Sequence, residues 1–263
     1  MQPTQTLQNA PVKSLEVESV PEPNDLVDEF QAEVRDSFQS WAALVDSVEA
    51  LVTAEPYEPP VIARRVTLDA FLRLGIAWES FRSDWYISAV CSDSSRFQTV
   101  VGETLSRAIA ATGYRAATEF MQIAWPRPLS PDSIRDLLDS DGFNLTFRSA
   151  RSWQDRAQLE LPSTYVKHVL NLSGQDLKFL DFLIAARNWL VHGSRRSQAL
   201  FAAAAAPLVL IFATPLEAAH PAQFAEWLLQ RSGKGTIFED CCVRLEAVAE
   251  VLRLPNATNT HHE

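Results

Sequence analysis

The sequence predicts an all-α protein, and three observations carry that expectation. Only eight of the 263 residues are glycine, while 47% are hydrophobic. Long stretches place apolar residues three or four apart, the spacing of one helix face. Proline clusters, PYEPP at 56–60 and WPRPLSP at 125–131, punctuate those stretches. The expected architecture is a helical bundle with an acidic N-terminal helix and a C-terminal helical extension. Its parts are an arm (1–23), an acidic amphipathic helix (24–60), a helical core (61–215), C-terminal helices (216–254) and a tail (255–263).

Residues 1–23 are polar, carry four prolines and lack an apolar period, which predicts a disordered arm. Asn24 or Asp25 can cap a helix over about 25–54, in which Leu26, Phe30, Val34, Phe38, Trp41, Val45, Val48 and Val52 form a stripe. Thr67 can cap the next, about 68–91, with Phe71, Leu74, Trp78, Phe81 and Trp85 on one face and Leu72, Ile76 and Ile87 on another. Glu79 lies between those faces, beside Arg82 and Tyr86. Residues 95–123 read as helix with a break near Gly113, and Ser130 followed by Pro131 starts a short helix over 131–139. After a DGFN loop, the basic stretch 146–160 has no decisive pattern.

Two helices follow at 163–171 and 174–192, capped by Ser163 and Ser173. Residues 197–206 are alanine-rich helix, and the PLVLIFA run at 207–213 suits either a helix or a buried strand. Helices at 220–230 and 236–254 complete the chain, the second with Phe238, Val243, Leu245, Val248 and Leu252 inward.

The polar N-terminus lacks a basic region followed by an apolar one, so no signal peptide is expected. The uncharged, apolar run Ala199–Ala213 is interrupted by Pro207 and reads as a buried segment, not a membrane span. Cys91, Cys241 and Cys242 make neither a disulfide framework nor a zinc spacing, which fits reduced thiols in the cytoplasm. No metal or cofactor is expected. The net charge of −10 is uneven: residues 1–60 hold twelve acids against Lys13 and Arg35, so they carry all of it. The stretch 148–198 holds eight bases against four acids. A basic excess in that stretch suits a polyanionic partner.

That excess surrounds the most informative segment, LKFLDFLIAARNWLVHGSRR at 177–196. Leu177, Leu180, Ile184 and Val191 share a face, with Arg187 in its middle. A guanidinium there needs a buried partner or a cleft, because it cannot shed its proton. Asn188 and His192 are four apart and share a face, and His192 precedes Gly193, a residue suited to the left-handed position that closes a helix. The string Arg187-Asn188-Trp189-Leu190-Val191-His192-Gly193 resembles the R-x4-H signature, often R-N-x-x-x-H-G, of the HEPN superfamily. The W-E-x-F run at 78–81 is similar to what several HEPN groups carry in a central helix.

The resemblance covers about 67–200 and implies an all-α, HEPN-like bundle acting as a metal-independent endoribonuclease in bacterial defence or toxin–antitoxin systems. It implies His192 for proton transfer, Arg187 for phosphate, and Asn188 in support. It also implies a homodimer that brings two motif helices into one cleft. Glu79 becomes a supporting residue behind Arg187, and Arg195, Arg196 and Lys178 become contacts to the RNA backbone. The implied partners are RNA (tRNA or mRNA), a second copy of the chain, and an antitoxin or defence-complex protein. HEPN toxins silenced by a minimal nucleotidyltransferase carry a tyrosine two residues past the histidine. This chain has Ser194 there, so no tyrosine modification of that kind is implied.

The same residues allow two other accounts. Arg187 can pair with Glu79 or Asp181 in a core while His192 caps its own helix. Alternatively the chain is a HEPN-like scaffold without turnover, binding a nucleic acid or a basic protein through its acidic helix. Elsewhere, Ser232-Gly233-Lys234-Gly235-Thr236 lacks the first glycine of a phosphate loop and reads as a polar turn. Cys241 and Cys242 read as core residues, His168 and His220 as ordinary, and His261-His262-Glu263 as tail.

Overall fold

The structure, a computed structural model, describes residues 20–51, 59–113, 123–125, 129–138, 145–216, 218–233 and 235–255. The arm before residue 20, the course of the chain from 114 to 122, the DGFN loop and the tail from 256 lie outside the described residues, as does Lys234. Among the described residues the chain is all-α, with eleven helices and one two-stranded hairpin.

Helix α1 (Pro23–Leu51) runs against α2 (Pro59–Ser92), and both pack on the last helix, α11 (Ile237–Val251). The expected stripe of α1 is the buried one: Phe30, Val34, Trp41 and Val48 are buried together with Val27, and Leu26, Phe38 and Val45 pack at the edge. Phe30 stacks on Phe81 of α2 at 4.4 Å and meets Trp78 edge-on at 5.8 Å. Asn24 does not cap α1. Its side-chain amide donates to the Leu254 carbonyl at 3.1 Å and its oxygen accepts from the Leu254 amide at 2.8 Å, clasping the C-terminal end of the chain.

Helix α2 begins at Pro59, about two and a half turns before the expected start, because a proline in the first turn sacrifices no helical hydrogen bond. Thr67 therefore lies inside the helix. Its hydroxyl donates to the Ala63 carbonyl at 2.8 Å and accepts from the Trp41 indole at 2.9 Å. The aromatic face Phe71, Trp78, Phe81 and Trp85 is buried as expected, but the second face is incomplete: Ile87 is buried while Ile76 is 46% exposed. Helix α3 (Ser95–Ala111) stops where Gly113 turns left-handed, and α4 (Pro131–Leu138) packs on α2.

The undecided stretch at 146–160 is helix α5 (Ala150–Glu160), opened by a reciprocal cap between Ser149 and Ser152. It inserts Trp153, fully buried, edge-on against Trp78 at 6.0 Å and Trp85 at 6.4 Å. Helix α6 (Ser163–Leu170) starts at the expected residue, but Pro162, not Ser163, is at the cap and makes no side-chain bond there. Helix α7 (Gly174–His192) starts and stops where expected, and α8 (Arg195–Ala205) folds back on it.

The PLVLIFA run resolves as a 3₁₀ turn (Ala206–Leu208) and a single helical turn, α9 (Val209–Phe212), not a strand. The expectation of a buried segment there is corrected. The window Arg195–Phe212 is long and apolar enough to cross a membrane by length and composition, yet only 28% of it is buried. Phe201, Ala205, Leu208 and Phe212 point inward, while Leu200, Val209 and Leu210 are exposed, so the segment is amphipathic. Helix α10 (Pro221–Leu229) and the hairpin pairing Arg231 with Thr236 lead into α11, where Cys241 and Cys242 are buried and Val243, expected inward, is 60% exposed. One hydrophobic cluster runs from Val27 to Leu252, so the acidic helix and the C-terminal helices share the core of the central ones.

His168 on α6 ties that helix to the end of α11. Its Nδ1 stands 3.1 Å from the Val251 carbonyl, which can only accept, so the proton sits on Nδ1 and the buried Nε2 has no partner among the described residues. Burial holds its pKa below the ordinary histidine value of about 6.5; the Val251 carbonyl opposes that shift and Lys167 adds to it. The unfolded chain then binds more protons once the pH drops below about 6.5, so acid removes stability. Urea unfolding is expected to show wild type losing more stability than His168→Gln between pH 7 and pH 5.

Candidate functional site

The site grows from the seam between α2 and α7. Gly75 makes that seam close: a Cβ there would stand 3.0 Å from the Arg187 Cβ and 3.1 Å from its Cγ. Any larger side chain at 75 would push the two helices apart at the arginine. Arg187 is thus pressed against α2, one turn from Glu79, and its Nη2 pairs with the Glu79 Oε2 at 3.5 Å. Its Nη1 donates to Asn188 Oδ1 at 2.8 Å, and its Nε is buried without a partner among the described residues. Both side chains of the ion pair keep about a quarter of their surface, 26% for Arg187 and 23% for Glu79, so the pair is neither sealed nor freely solvated.

Arg187 does not sit in the middle of the buried face, as the spacing suggested. Phe179, Leu180, Phe182, Leu183, Ala186 and Trp189 form that face, of which the spacing placed Leu180 correctly, and the aromatic members decide its direction. Trp189 stacks on Phe201 of α8 at 4.3 Å, and Phe182 meets Phe224 of α10 edge-on at 6.0 Å. The helix is rotated accordingly, so Arg187 falls at the edge, Ile184 is half-buried and Val191 is 51% exposed. The ion pair that sequence left open goes to Glu79. Asp181 instead accepts the first backbone N–H of α5, from Ala150, at 2.6 Å.

Helix α7 ends with Gly193 at φ 56°, whose N–H bonds the Trp189 carbonyl at 2.9 Å. That glycine does the capping. His192 is exposed and makes no hydrogen bond among the described residues, so the account in which it caps its own helix has no support in the geometry. Five residues separate Arg187 from His192, about 7.5 Å along the axis and about 140° around it. Within one chain the two side chains therefore point to different sides of the helix. Asn188 stands between them in angle, bonded to Arg187 and four residues before His192.

Arg195 and Arg196 follow immediately, both exposed in the first turn of α8 and without an ion pair among the described residues. They extend the cationic surface beyond His192. Lys178 does not join them: it is exposed near the start of α7, about 21 Å along the axis from His192. The structure thus brings Arg187, Asn188 and Glu79 together, sets His192, Arg195 and Arg196 in solvent at the same helix end, and leaves Lys178 apart.

Sequence reasoning missed Arg82. It is 3% exposed, lies with its guanidinium carbon 4.8 Å above the Phe147 ring, and borders a cleft of about 210 Å³ that Asn188 also lines. Burial pushes its pKa down to about 10, with Glu79 and Asp181 opposing that shift, so it is still a cation at neutral pH. The signal was an arginine inside the aromatic run Trp78-Glu79-Ser80-Phe81-Arg82-Ser83-Asp84-Trp85, on the helix that carries the core. No group of three or more histidine, cysteine or carboxylate side chains with metal-ligand geometry occurs among the described residues. In comparisons with protein-family models, curated proteins and solved structures, the chain matches none.

Proposed function

We propose that the protein is a metal-independent endoribonuclease of HEPN type, working as a cytoplasmic homodimer in a bacterial defence or toxin–antitoxin system. One observation carries the reading: the R-N-x-x-x-H-G string ends α7 with an unobligated, exposed His192 and an arginine held in place by Glu79 and Asn188. Histidine suits both proton steps of RNA cleavage near neutral pH. His192 removes the proton of a ribose 2′-hydroxyl, whose oxygen attacks the adjacent phosphorus. The 5′-oxygen leaves and is protonated by a second imidazole, giving a 2′,3′-cyclic phosphate and a 5′-hydroxyl. The planar guanidinium of Arg187 stabilises the charge on the phosphorane, and Asn188 and Glu79 fix its orientation.

A homodimer supplies the second imidazole. The outward side of α7 carries Ile184, Asn188, Val191 and His192 on one strip, with exposed Leu200 of α8 beside it. Self-association of that strip about a two-fold axis sets two His192 and two Arg187 around one cleft. Arg195 and Arg196 border the cleft and hold the RNA backbone.

A second reading, a scaffold without turnover that binds a basic partner such as an antitoxin or defence-complex protein, is favoured by a groove of about 660 Å³ between α1 and α2. Glu29, Glu33, Asp36 and Asp69 line it around Trp41 and Leu44, which matches a cationic amphipathic segment. Substrate chemistry separates the two. An oligoribonucleotide cut by the protein in EDTA is expected to resist when the ribose 5′ to the scissile phosphate lacks its 2′-hydroxyl. Equal cutting of the 2′-deoxy oligonucleotide excludes the proposed reaction.

A further inference from the structure

The cleft beside the motif holds a cation that no partner among the described residues directly neutralises. Arg82 rises from α2 into the space between α7, α8 and the segment leading into α5, and its Nε is buried with no hydrogen-bond partner among the described residues. No carboxylate there lies within ion-pair distance of it. The two carboxylates whose charge reaches it are engaged elsewhere: Glu79 with Arg187, and Asp181 with the Ala150 amide. A guanidinium that is 3% exposed and has no direct counter-charge among the described residues is costly, and packing over Phe147 offsets only part of that cost.

The remaining wall adds donors of the same sign. Arg148 is exposed at the rim and makes no ion pair among the described residues. Ser149 stands at the N-terminus of α5, an eleven-residue helix whose dipole places positive potential at that end. Asn188 offers its amide from α7. Asp181 is the one acidic group on the wall among the described residues. At about 210 Å³ the cleft is smaller than the roughly 300–1,000 Å³ of pockets for drug-sized ligands, and suits a phosphate with part of a sugar.

We propose that this cleft is a phosphate-binding site, in which Arg82 from the floor and Arg148 from the rim clamp the phosphate group of a nucleotide or RNA strand. Arginine forks match phosphate oxygens bidentately, and a bound phosphate gives Arg82 a direct counter-charge. The site stands independently of the ribonuclease reading, because phosphate binding requires neither His192 nor a second copy of the chain. Its position beside Asn188 means that a strand held there passes the motif.

The test is calorimetric titration of the full chain with sodium phosphate, adenosine 5′-monophosphate and a dinucleoside monophosphate, at ionic strength held constant with chloride. Wild type is expected to bind at least one of them. Arg148→Ala is expected to weaken binding at least about tenfold, the effect of one charge-assisted contact, and Arg82→Met to abolish it. Arg151→Ala changes a neighbouring exposed arginine outside the cleft and is expected to leave binding unchanged.

Preference for the monoesters identifies a free nucleotide or terminal phosphate as the source, and preference for the diester identifies the RNA backbone. His192→Ala is expected to bind like wild type, so loss of cleavage and loss of phosphate binding remain separable results. Because Arg148 is exposed, its variant reads the site even where Arg82→Met fails to fold. Absence of binding to wild type, or equal binding by wild type and Arg148→Ala, overturns the proposal.

Discussion

Replacing His192 with alanine is expected to lower the rate of RNA cleavage at least about a hundredfold, the lower end of what a positioned acid–base group contributes. Its stability is expected to stay within about 0.5 kcal/mol of wild type, as for a surface substitution away from caps and buried groups. The two halves of that expectation come from one placement. His192 is exposed, makes no hydrogen bond among the described residues, and leaves helix termination to Gly193. Nothing structural is lost with the imidazole, so a loss of activity reports chemistry. Arg187→Ala differs in this respect: it leaves Glu79 unpaired in a quarter-exposed seam and costs stability as well. Parallel cleavage assays and urea denaturation of the two variants read the contrast directly.

Trp153→Ala is expected to have the largest effect on stability, a loss of about 3–5 kcal/mol, the usual range for a large aromatic truncated in a core. Trp153 has no exposed surface and is the aromatic through which α5 reaches α2, edge-on to Trp78, Trp85 and, at a tilt, Phe147. Its removal leaves a cavity under the segment that carries Phe147 and Arg148, so the cleft beside the motif should loosen first. Urea unfolding followed by tryptophan fluorescence gives the loss, and thermal unfolding should show a drop on the order of 10 °C. A loss under about 1 kcal/mol would mean that α5 docks by other contacts.

The ends of α7 were legible because local chemistry sets them: Ser173 and Asp176 cap the start, and Gly193 takes the left-handed turn at the end. The stripe of α1 was legible because a three-four spacing of large apolar residues admits one buried face. The start of α2 was misjudged because Thr67 has the chemistry of a cap, whereas Pro59 leaves the helix free to begin earlier. Its hydroxyl serves Trp41 across the seam instead, a contact that no local rule contains.

The rotation of α7 was misjudged for a related reason. Leucine, isoleucine and valine marked one face, but Phe182 and Trp189 carry more area, and their partners Phe201 and Phe224 lie on α8 and α10. The pairing of Arg187 with Glu79 was foreseen as one of two options, since both residues sit on helices expected to be central. Arg82 was not singled out, because its burial depends on Phe147 folding over it from 65 positions along the chain.

The central claim is that RNA is cut by chemistry at the C-terminal end of α7. The most direct measurement is incubation of purified wild type, His192→Ala and Arg187→Ala with total tRNA and mRNA in EDTA, followed by analysis of fragment ends. Fragments from wild type alone, ending in 2′,3′-cyclic phosphate, are the expected result. Equal cleavage by His192→Ala, or none by wild type, would contradict the claim and leave the acidic groove between α1 and α2 as the surface to pursue.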